Sequence, residues 1–159
     1  MRSLIVYYSR TQTTRLAVDS LSRRLPVDIF KLEEDVSRGG LLGWLRAGRD
    51  AFKKRLSSIN KPTHVPSRYP LVILAMPLWV GTIPPAMRTY IRDELSGAKR
   101  VAFLLTQGGR GQEKVLVELE RLTGQAPVAT VQMLKKDVVK NTPRFKRQLE
   151  TFVNGLDLS

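Results

Sequence analysis

The sequence predicts an α/β fold in three layers, with a doubly wound sheet of five parallel strands in the order 2-1-3-4-5 between two layers of helices. Short apolar runs typical of buried strands alternate along the 159 residues with amphipathic runs of helical period. Strict alternation of this kind indicates a parallel sheet with crossover helices. Three loops of unusual chemistry also follow predicted strands directly, and such sheets bind ligands beyond the carboxyl ends of their strands, at the switch point of the strand order.

The first half of the chain supplies two predicted strands and two predicted helices. Residues 3–8 are mostly β-branched and aromatic and predict a strand, and the amphipathic run 13–25 that follows predicts a helix. After Pro26, residues 27–32 predict a second short strand. Residues 41–56, which follow a Gly-Gly break, place apolar side chains on one helical face and cations on the other.

The second half continues the alternation after a proline-rich connector. The continuous apolar run 71–76 predicts a strand that is buried on both faces. Pro84 and Pro85 open the next helix, because proline is favoured in a first helical turn. The remaining elements are the rest of this helix to about 95, a strand at 100–106, a helix at 112–122, a strand at 128–134 and a helix at 143–156. We expect all of them to form a single domain, 1–159.

The composition excludes several kinds of chemistry. The chain has no cysteine and one histidine, His64, so disulfides, thiolate metal sites and Ser-His-Asp catalysis lack material. We therefore expect no metal site and no catalytic side chain. No apolar run is as long as the roughly 18 residues of a membrane-spanning helix, and the apolar stretch near the N-terminus is too short for a signal peptide. The expected location is the cytoplasm.

The first loop, 9–14, joins the first strand to the first helix and carries four hydroxyl groups and one guanidinium. Unpaired backbone N–H groups at a helix N-terminus favour an anion, and hydroxyl donors around them complete a phosphate site. The alternative is ordinary N-capping, since serine and threonine are preferred caps, but capping needs only one hydroxyl. The candidate anion-binding residues are Ser9, Arg10, Thr11, Gln12, Thr13 and Thr14.

Two further loops follow the third and fourth strands. The second loop, 77–82, carries a tryptophan that can lie against a flat ring, and the third, 106–111, exposes its backbone through a Gly-Gly pair. The alternatives are a tryptophan packed beneath its own loop and an ordinary Gly-Gly turn. The candidate ligand-binding residues are Pro77, Leu78, Trp79, Val80 and Gly81 in the second loop, and Thr106, Gln107, Gly108 and Gly109 in the third.

These three loops, in this order and spacing, resemble those of the flavodoxin family. Ser9-x-Thr11-x-x-Thr14 is similar to the family's phosphate loop for flavin mononucleotide (FMN), 77–91 to its second flavin loop and the helix after it, and 106–109 to its third loop. The resemblance implies a flavodoxin-like fold with FMN as the cofactor. It also implies a flavin phosphate in the first loop, a ring beside the tryptophan of the second, and a pyrimidine edge on the backbone of the third.

The first loop departs from the family pattern at two positions. The family usually has glycine where this chain has Gln12, and often asparagine where it has Thr13. Glycine permits close backbone approach and a free choice of φ, whereas Gln12 adds bulk and removes that freedom. Phosphate binding is therefore expected to be weaker than in chains that match the pattern fully.

The resemblance favours an FMN-dependent oxidoreductase that passes electrons from NAD(P)H to a quinone-like acceptor. Arg10 and Arg110 lie in the flavin loops, and a cation about 8 Å from the ring at an effective dielectric of about 20 raises the one-electron potential by roughly 90 mV. One alternative is a one-electron carrier, a flavodoxin proper, that docks on a partner reductase. Another is a binding protein that kept the fold and lost the flavin.

The net charge points to anionic partners. The chain has 27 Lys and Arg against 14 Asp and Glu, a formal charge of +13, which favours anionic ligands or an acidic redox protein. The basic face of 41–56 suits peripheral contact with an anionic membrane, although packing of its apolar stripe on the sheet is the favoured interpretation. The basic segment 135–147 has no motif that reads nucleic acid, so nucleic acid is not an expected partner.

Overall fold

The computed structural model describes residues 2–34, 56–109 and 113–158. Its five strands are all parallel and form one sheet in the predicted order, β2-β1-β3-β4-β5. The strands are β1 Ser3–Tyr7, β2 Val27–Lys31, β3 Val72–Pro77, β4 Val101–Gln107 and β5 Thr130–Leu134. Every predicted strand is therefore present, with its ends within two residues of the prediction.

Helices follow four of the strands in the described part of the chain, and those after β1, β3 and β4 are crossover connections. The described helices are α1 Thr13–Ser22, α2 Pro85–Asp93, α3 Glu113–Thr123, α4 Lys135–Val139 and α5 Pro143–Gly155, with a 3-10 turn at Pro66–Arg68 in the connector. None of these helices is long and apolar enough to cross a membrane. The helix predicted at 41–56 lies outside the described residues, apart from Leu56.

Two helical predictions need correction. The first helix ends at Ser22 rather than at Leu25, because a residue that precedes proline is disfavoured in the helical region and Leu25 precedes Pro26. The Arg24 N–H instead donates to the Leu21 carbonyl in a turn. Residues 135–139, predicted only as part of a basic segment, form the short helix α4.

The sheet is covered on both faces, as the continuous apolar strands predict. One core cluster takes alternate strand residues such as Leu4, Leu74 and Phe103 and packs them against α2 and α3. The other takes the intervening residues, such as Ile5 and Ile73, and packs them against α1 and α5. Because both faces are buried, ligands have access to the sheet at the ends of its strands.

The register of the central strands brings the three predicted loops to one edge. Tyr7 of β1 is opposite Ala75 of β3, and Pro77 at the end of β3 is opposite Thr106 near the end of β4. The first, second and third loops therefore leave the sheet side by side, around the point where the strand order reverses. This is the placement that the predicted binding site requires.

Candidate functional site

Direct contacts join the three loops. The Oγ1 atoms of Thr14 and Thr106 lie 2.8 Å apart, which links the first loop to the third. The Leu78 N–H donates to the Thr106 carbonyl over 2.9 Å, which links the second loop to the third. The rings of Tyr8 and Trp79 meet edge to face with their centroids 5.4 Å apart. The three sequence-predicted loops thus form one contiguous surface.

The first loop leads into α1 and presents several donors to solvent. Ser9 and Arg10 are half-buried, whereas Thr11 and Gln12 are exposed. Among the described residues, one loop hydroxyl contacts an α1 N–H: Ser9 Oγ accepts from the Arg15 backbone, over a long 3.4 Å. N-capping therefore accounts for little of the hydroxyl content, and the loop keeps donors at a helix N-terminus, where the backbone favours an anion.

Gln12 adopts the conformation that glycine would adopt without strain. Its φ of 67° and ψ of −14° lie in the left-handed region, at the position just before α1. An L-residue there costs about 1–2 kcal/mol. The Gln12 side chain makes no capping hydrogen bond. It is exposed, and its Oε1 lies 3.5 Å from an Arg15 guanidinium nitrogen. Gln12 therefore keeps the left-handed turn at an energetic cost, with its bulk directed to the surface.

The two hydroxyls at the start of α1 behave differently from those of the loop. Thr13 and Thr14 are 3% and 1% exposed. Thr13 Oγ1 lies 3.5 Å from Thr11 Oγ1, too far for a strong hydrogen bond, whereas Thr14 Oγ1 lies 2.8 Å from Thr106 Oγ1, a normal hydrogen-bond distance. The residues expected to surround a phosphate thus divide into an accessible set and a buried set.

The second loop is a tight hairpin turn after β3. Trp79 and Thr82 exchange backbone hydrogen bonds of 3.2 and 2.9 Å, and the Thr82 hydroxyl also donates to the Trp79 carbonyl over 2.7 Å. The two central residues, Val80 and Gly81, have φ of 50° and 68°. Positive φ at both positions is the pattern of a type I′ turn. Glycine suits it, but Val80 is β-branched and 80% exposed.

Trp79 lies between the first and second loops. It is partly buried against the α2–α3 core cluster, its ring meets the Tyr8 ring edge to face, and the Arg10 guanidinium carbon lies 5.4 Å from its ring centroid. That distance is within the range of a cation–π contact. Trp79 therefore packs under its loop, as one interpretation predicts, while its partial exposure keeps a ring surface at the site.

Tyr8, which the sequence predicts as the last residue of the first strand, also belongs to this candidate site, since its ring contacts Trp79. It follows β1 directly and is 4% exposed. Burial raises the pKa of its phenol to about 12; the Glu34 carboxylate adds to the rise and the Arg10 guanidinium opposes it. The phenol is therefore protonated at neutral pH. Its position at the end of a central strand is the signal that would have identified it.

The third loop leaves open space above its backbone. A Cβ built on Gly108 or Gly109 would meet no heavy atom within 4 Å, and neither glycine has a positive φ. Neither packing nor a positive φ therefore requires glycine at these two positions, and both residues are exposed. Gln107, 9% exposed, directs its Nε2 toward Gln132 Oε1 over 3.4 Å. Residues 110–112, which include the predicted cation Arg110, lie outside the described part of the chain.

Solved structures that superimpose on this chain include several flavin proteins. A flavoprotein from Lactobacillus acidophilus in complex with FMN superimposes with a TM-score of 0.71 at 15% identity, over 87% of this chain and 97% of that one. A Streptococcus pneumonia flavodoxin gives 0.56 at 17% identity, over 98% and 97%. An NAD(P)H:quinone oxidoreductase from Methanothermobacter marburgensis gives 0.55 at 14% identity, over 99% and 96%.

Neither a protein-family model nor a curated protein matches the sequence. The structural likeness, at these low identities, establishes the fold. The chain has the flavodoxin-like fold that its three loops predict.

Proposed function

We propose that this chain is an FMN-binding redox protein that holds the flavin across its first, second and third loops. The observation that carries the proposal is the convergence of two unlike surfaces at one sheet edge. An accessible cluster of hydroxyl and guanidinium groups lies at the start of α1. The second loop carries a partly exposed tryptophan, and the adjacent third loop carries a glycine backbone with open space above it. A phosphorylated flavin has complementary parts, a dianion at one end and a flat ring at the other.

The first loop would hold the phosphate. Ser9 and Thr11 present hydroxyl donors, the first turn of α1 presents backbone N–H groups, and Arg10 supplies a positive charge. Hydrogen bonds to a charged acceptor contribute about 1.5–3 kcal/mol each. A few such contacts are sufficient to distinguish FMN from riboflavin, which lacks the phosphate.

The second and third loops would hold the ring. Trp79 would contact the ring by its face or edge, and the backbone of Gly108 and Gly109 would meet the polar pyrimidine edge. The flavin, when bound, supplies the capacity to accept and release one or two electrons. Arg10, which lies over Trp79, keeps a cation beside the ring surface, and a cation there favours the reduced, anionic flavin and raises its potential.

The activity that we propose is transfer of electrons from NAD(P)H to a quinone-like acceptor. The Arg10 charge supports an oxidoreductase over a low-potential carrier, and the fold is shared with a protein named NAD(P)H:quinone oxidoreductase. A one-electron carrier is the second candidate, because the fold is equally shared with flavodoxins and the charge of +13 suits an acidic partner. Purified protein that oxidises NAD(P)H with a quinone and no reductase supports the first candidate; turnover only with added reductase supports the second.

Titration of the purified protein with FMN tests the binding proposal. The chain has two tryptophans, Trp44 and Trp79, so the Trp44→Phe variant makes quenching of Trp79 a specific reporter of ring binding. We expect saturable quenching and a dissociation constant that rises about tenfold or more in Thr11→Ala. Thr130→Ala, an exposed threonine at the amino end of β5, is the matched control. Absence of saturable binding would contradict the proposal.

A further inference from the structure

The hydrogen bond between Thr14 and Thr106 joins the two ends of the proposed flavin site. The residues are 92 positions apart in the chain, and their hydroxyl oxygens lie 2.8 Å apart. Thr14 lies in the first turn of α1, beside the proposed phosphate position, and Thr106 lies near the end of β4, where the third loop begins. Their side chains are 1% and 2% exposed, so each hydroxyl finds its partner inside the protein.

Burial separates Thr14 from the accessible donors of the first loop. Thr11 is exposed and Ser9 half-buried, whereas Thr14 lies beneath them with its hydroxyl directed at Thr106. A side chain in this position acts on the loop through the helix that it anchors. Thr14 therefore has the geometry of a positioning residue.

Thr106 contacts the neighbouring loops in two independent ways. Its hydroxyl engages Thr14, and its carbonyl accepts a 2.9 Å hydrogen bond from the Leu78 N–H in the second loop. The carbonyl bond belongs to the backbone and survives any side-chain substitution. A change of the Thr106 side chain consequently tests the link to α1 without removing the link to the second loop.

We propose, on the basis of the FMN-binding function above, that the Thr14–Thr106 hydrogen bond fixes the distance between the phosphate end and the ring end of the site. A ligand that contacts both ends gains affinity when the two are held at the correct spacing in advance, because less order has to be created on binding. The same spacing matters little to a ligand that occupies the ring end alone. Thr14 and Thr106 thus determine how much the phosphate adds to flavin affinity.

A double-mutant cycle with FMN and riboflavin tests this role. The variants are Thr14→Val, Thr106→Val and the double variant, in which valine keeps the shape of threonine and removes the hydroxyl. We expect each single variant to weaken FMN binding about tenfold and to change riboflavin binding less than about twofold. The double variant should be no weaker than either single one, since all three lack the same bond. Thr14→Ser and Thr106→Ser, which keep the hydroxyl, should restore FMN affinity.

Several outcomes would overturn the inference. Independent, additive losses would mean that the two hydroxyls act separately, and a loss in Thr14→Val alone would make Thr14 a direct phosphate ligand. Equal losses for FMN and riboflavin would indicate a contact to the ring or a general loss of structure. If the valine variants fold poorly, the corresponding alanine variants provide the same cycle. A wild-type chain that binds neither flavin overturns the proposed function itself, whereas normal FMN binding with additive variants overturns only this inference.

Discussion

The first and second loops share a strained backbone conformation but differ in whether their polar groups are satisfied within the loop. Each places a residue other than glycine in the left-handed region, Gln12 with φ 67° and Val80 with φ 50°. In the second loop the turn satisfies its own groups, because Trp79 and Thr82 exchange backbone hydrogen bonds. In the first loop, Thr11 and Gln12 remain exposed at a helix N-terminus. The second loop is therefore a self-satisfied turn that suits the ring end of the proposed site, whereas the first loop keeps exposed groups for the proposed phosphate.

Removal of the accessible hydroxyls of the first loop should produce the largest effect. In the double variant Ser9→Ala, Thr11→Ala we expect FMN affinity to fall by about a hundredfold, since each hydroxyl contributes a charge-assisted hydrogen bond of about 1.5 kcal/mol or more. Riboflavin affinity should not change, because riboflavin has no phosphate. Fluorescence titrations with both flavins measure the difference. A parallel fall in riboflavin affinity would remove the functional distinction between the two loops.

Loss of the tryptophan in the second loop should act on both flavins alike. Trp79→Ala removes the ring surface and the partner of the Arg10 cation–π contact, and stacking of this kind contributes about 1 kcal/mol or more. We expect FMN and riboflavin affinity to fall about tenfold each, and Trp79→Phe to recover most of the loss. An FMN-specific loss in Trp79→Ala would show that the tryptophan serves the phosphate end through Arg10.

Relief of the strained backbone should stabilise both loops but change flavin binding in only one. Val80→Asn creates the Asn-Gly pair that type I′ turns favour and should raise the free energy of unfolding by about 1 kcal/mol, with no change in flavin affinity. Gln12→Gly should add less stability, because glycine loses more backbone entropy on folding, but FMN affinity should rise a few-fold as the loop loses bulk. Chemical denaturation measures the free energy of unfolding of both variants, and FMN titration measures their flavin affinity. A destabilised Val80→Asn protein would contradict the proposed turn.

The smallest effect at neutral pH concerns Tyr8, which lies beneath both loops. Its pKa is raised from 10.0 to about 12, chiefly by burial. The stability associated with this raised pKa is fully present below pH 10, the pKa of tyrosine in the unfolded chain. It is lost as the pH rises from 10 toward 12, because the unfolded chain then releases a proton that the folded chain retains. Burial also raises the pKa of Tyr90. Tyr8→Phe should therefore reduce the alkaline loss of stability without abolishing it. Denaturation midpoints across this pH range measure the effect, and identical profiles for wild type and Tyr8→Phe would contradict it.

The sequence predicts the sheet well because the relevant signals are local. Buried strands such as 71–76 are continuous apolar runs. The hydroxyl, aromatic and glycine residues that follow the strands identify the loops as candidate binding segments. The five-residue helix α4 is not predicted, because it is too short to show a helical period. The end of α1 is set by Pro26, four residues beyond Ser22, although the amphipathic pattern continues to Leu25.

The site is predicted less completely than the fold, because its internal contacts are long-range. Thr14 and Thr106 are both identified as candidates, but nothing local indicates that they bond to each other across 92 positions. The left-handed conformation of Gln12 is likewise imposed by the turn into α1, against the intrinsic preference of glutamine. Arg110 and the basic helix predicted at 41–56, apart from Leu56, lie outside the described residues.

The strand order also determines when the site can form during folding. β1 is an interior strand and pairs with β3, for example through Leu4 opposite Val72. This pairing forms only after a distant part of the chain has been synthesised. Until then, the unit formed by β1 and β2 exposes an unpaired hydrophobic strand edge, which is the kind of surface that aggregates. On a ribosome this edge remains open while the connector and β3 emerge. The yield of folded protein should therefore fall more when translation is slowed, or the temperature raised, before β3 has been synthesised than afterwards.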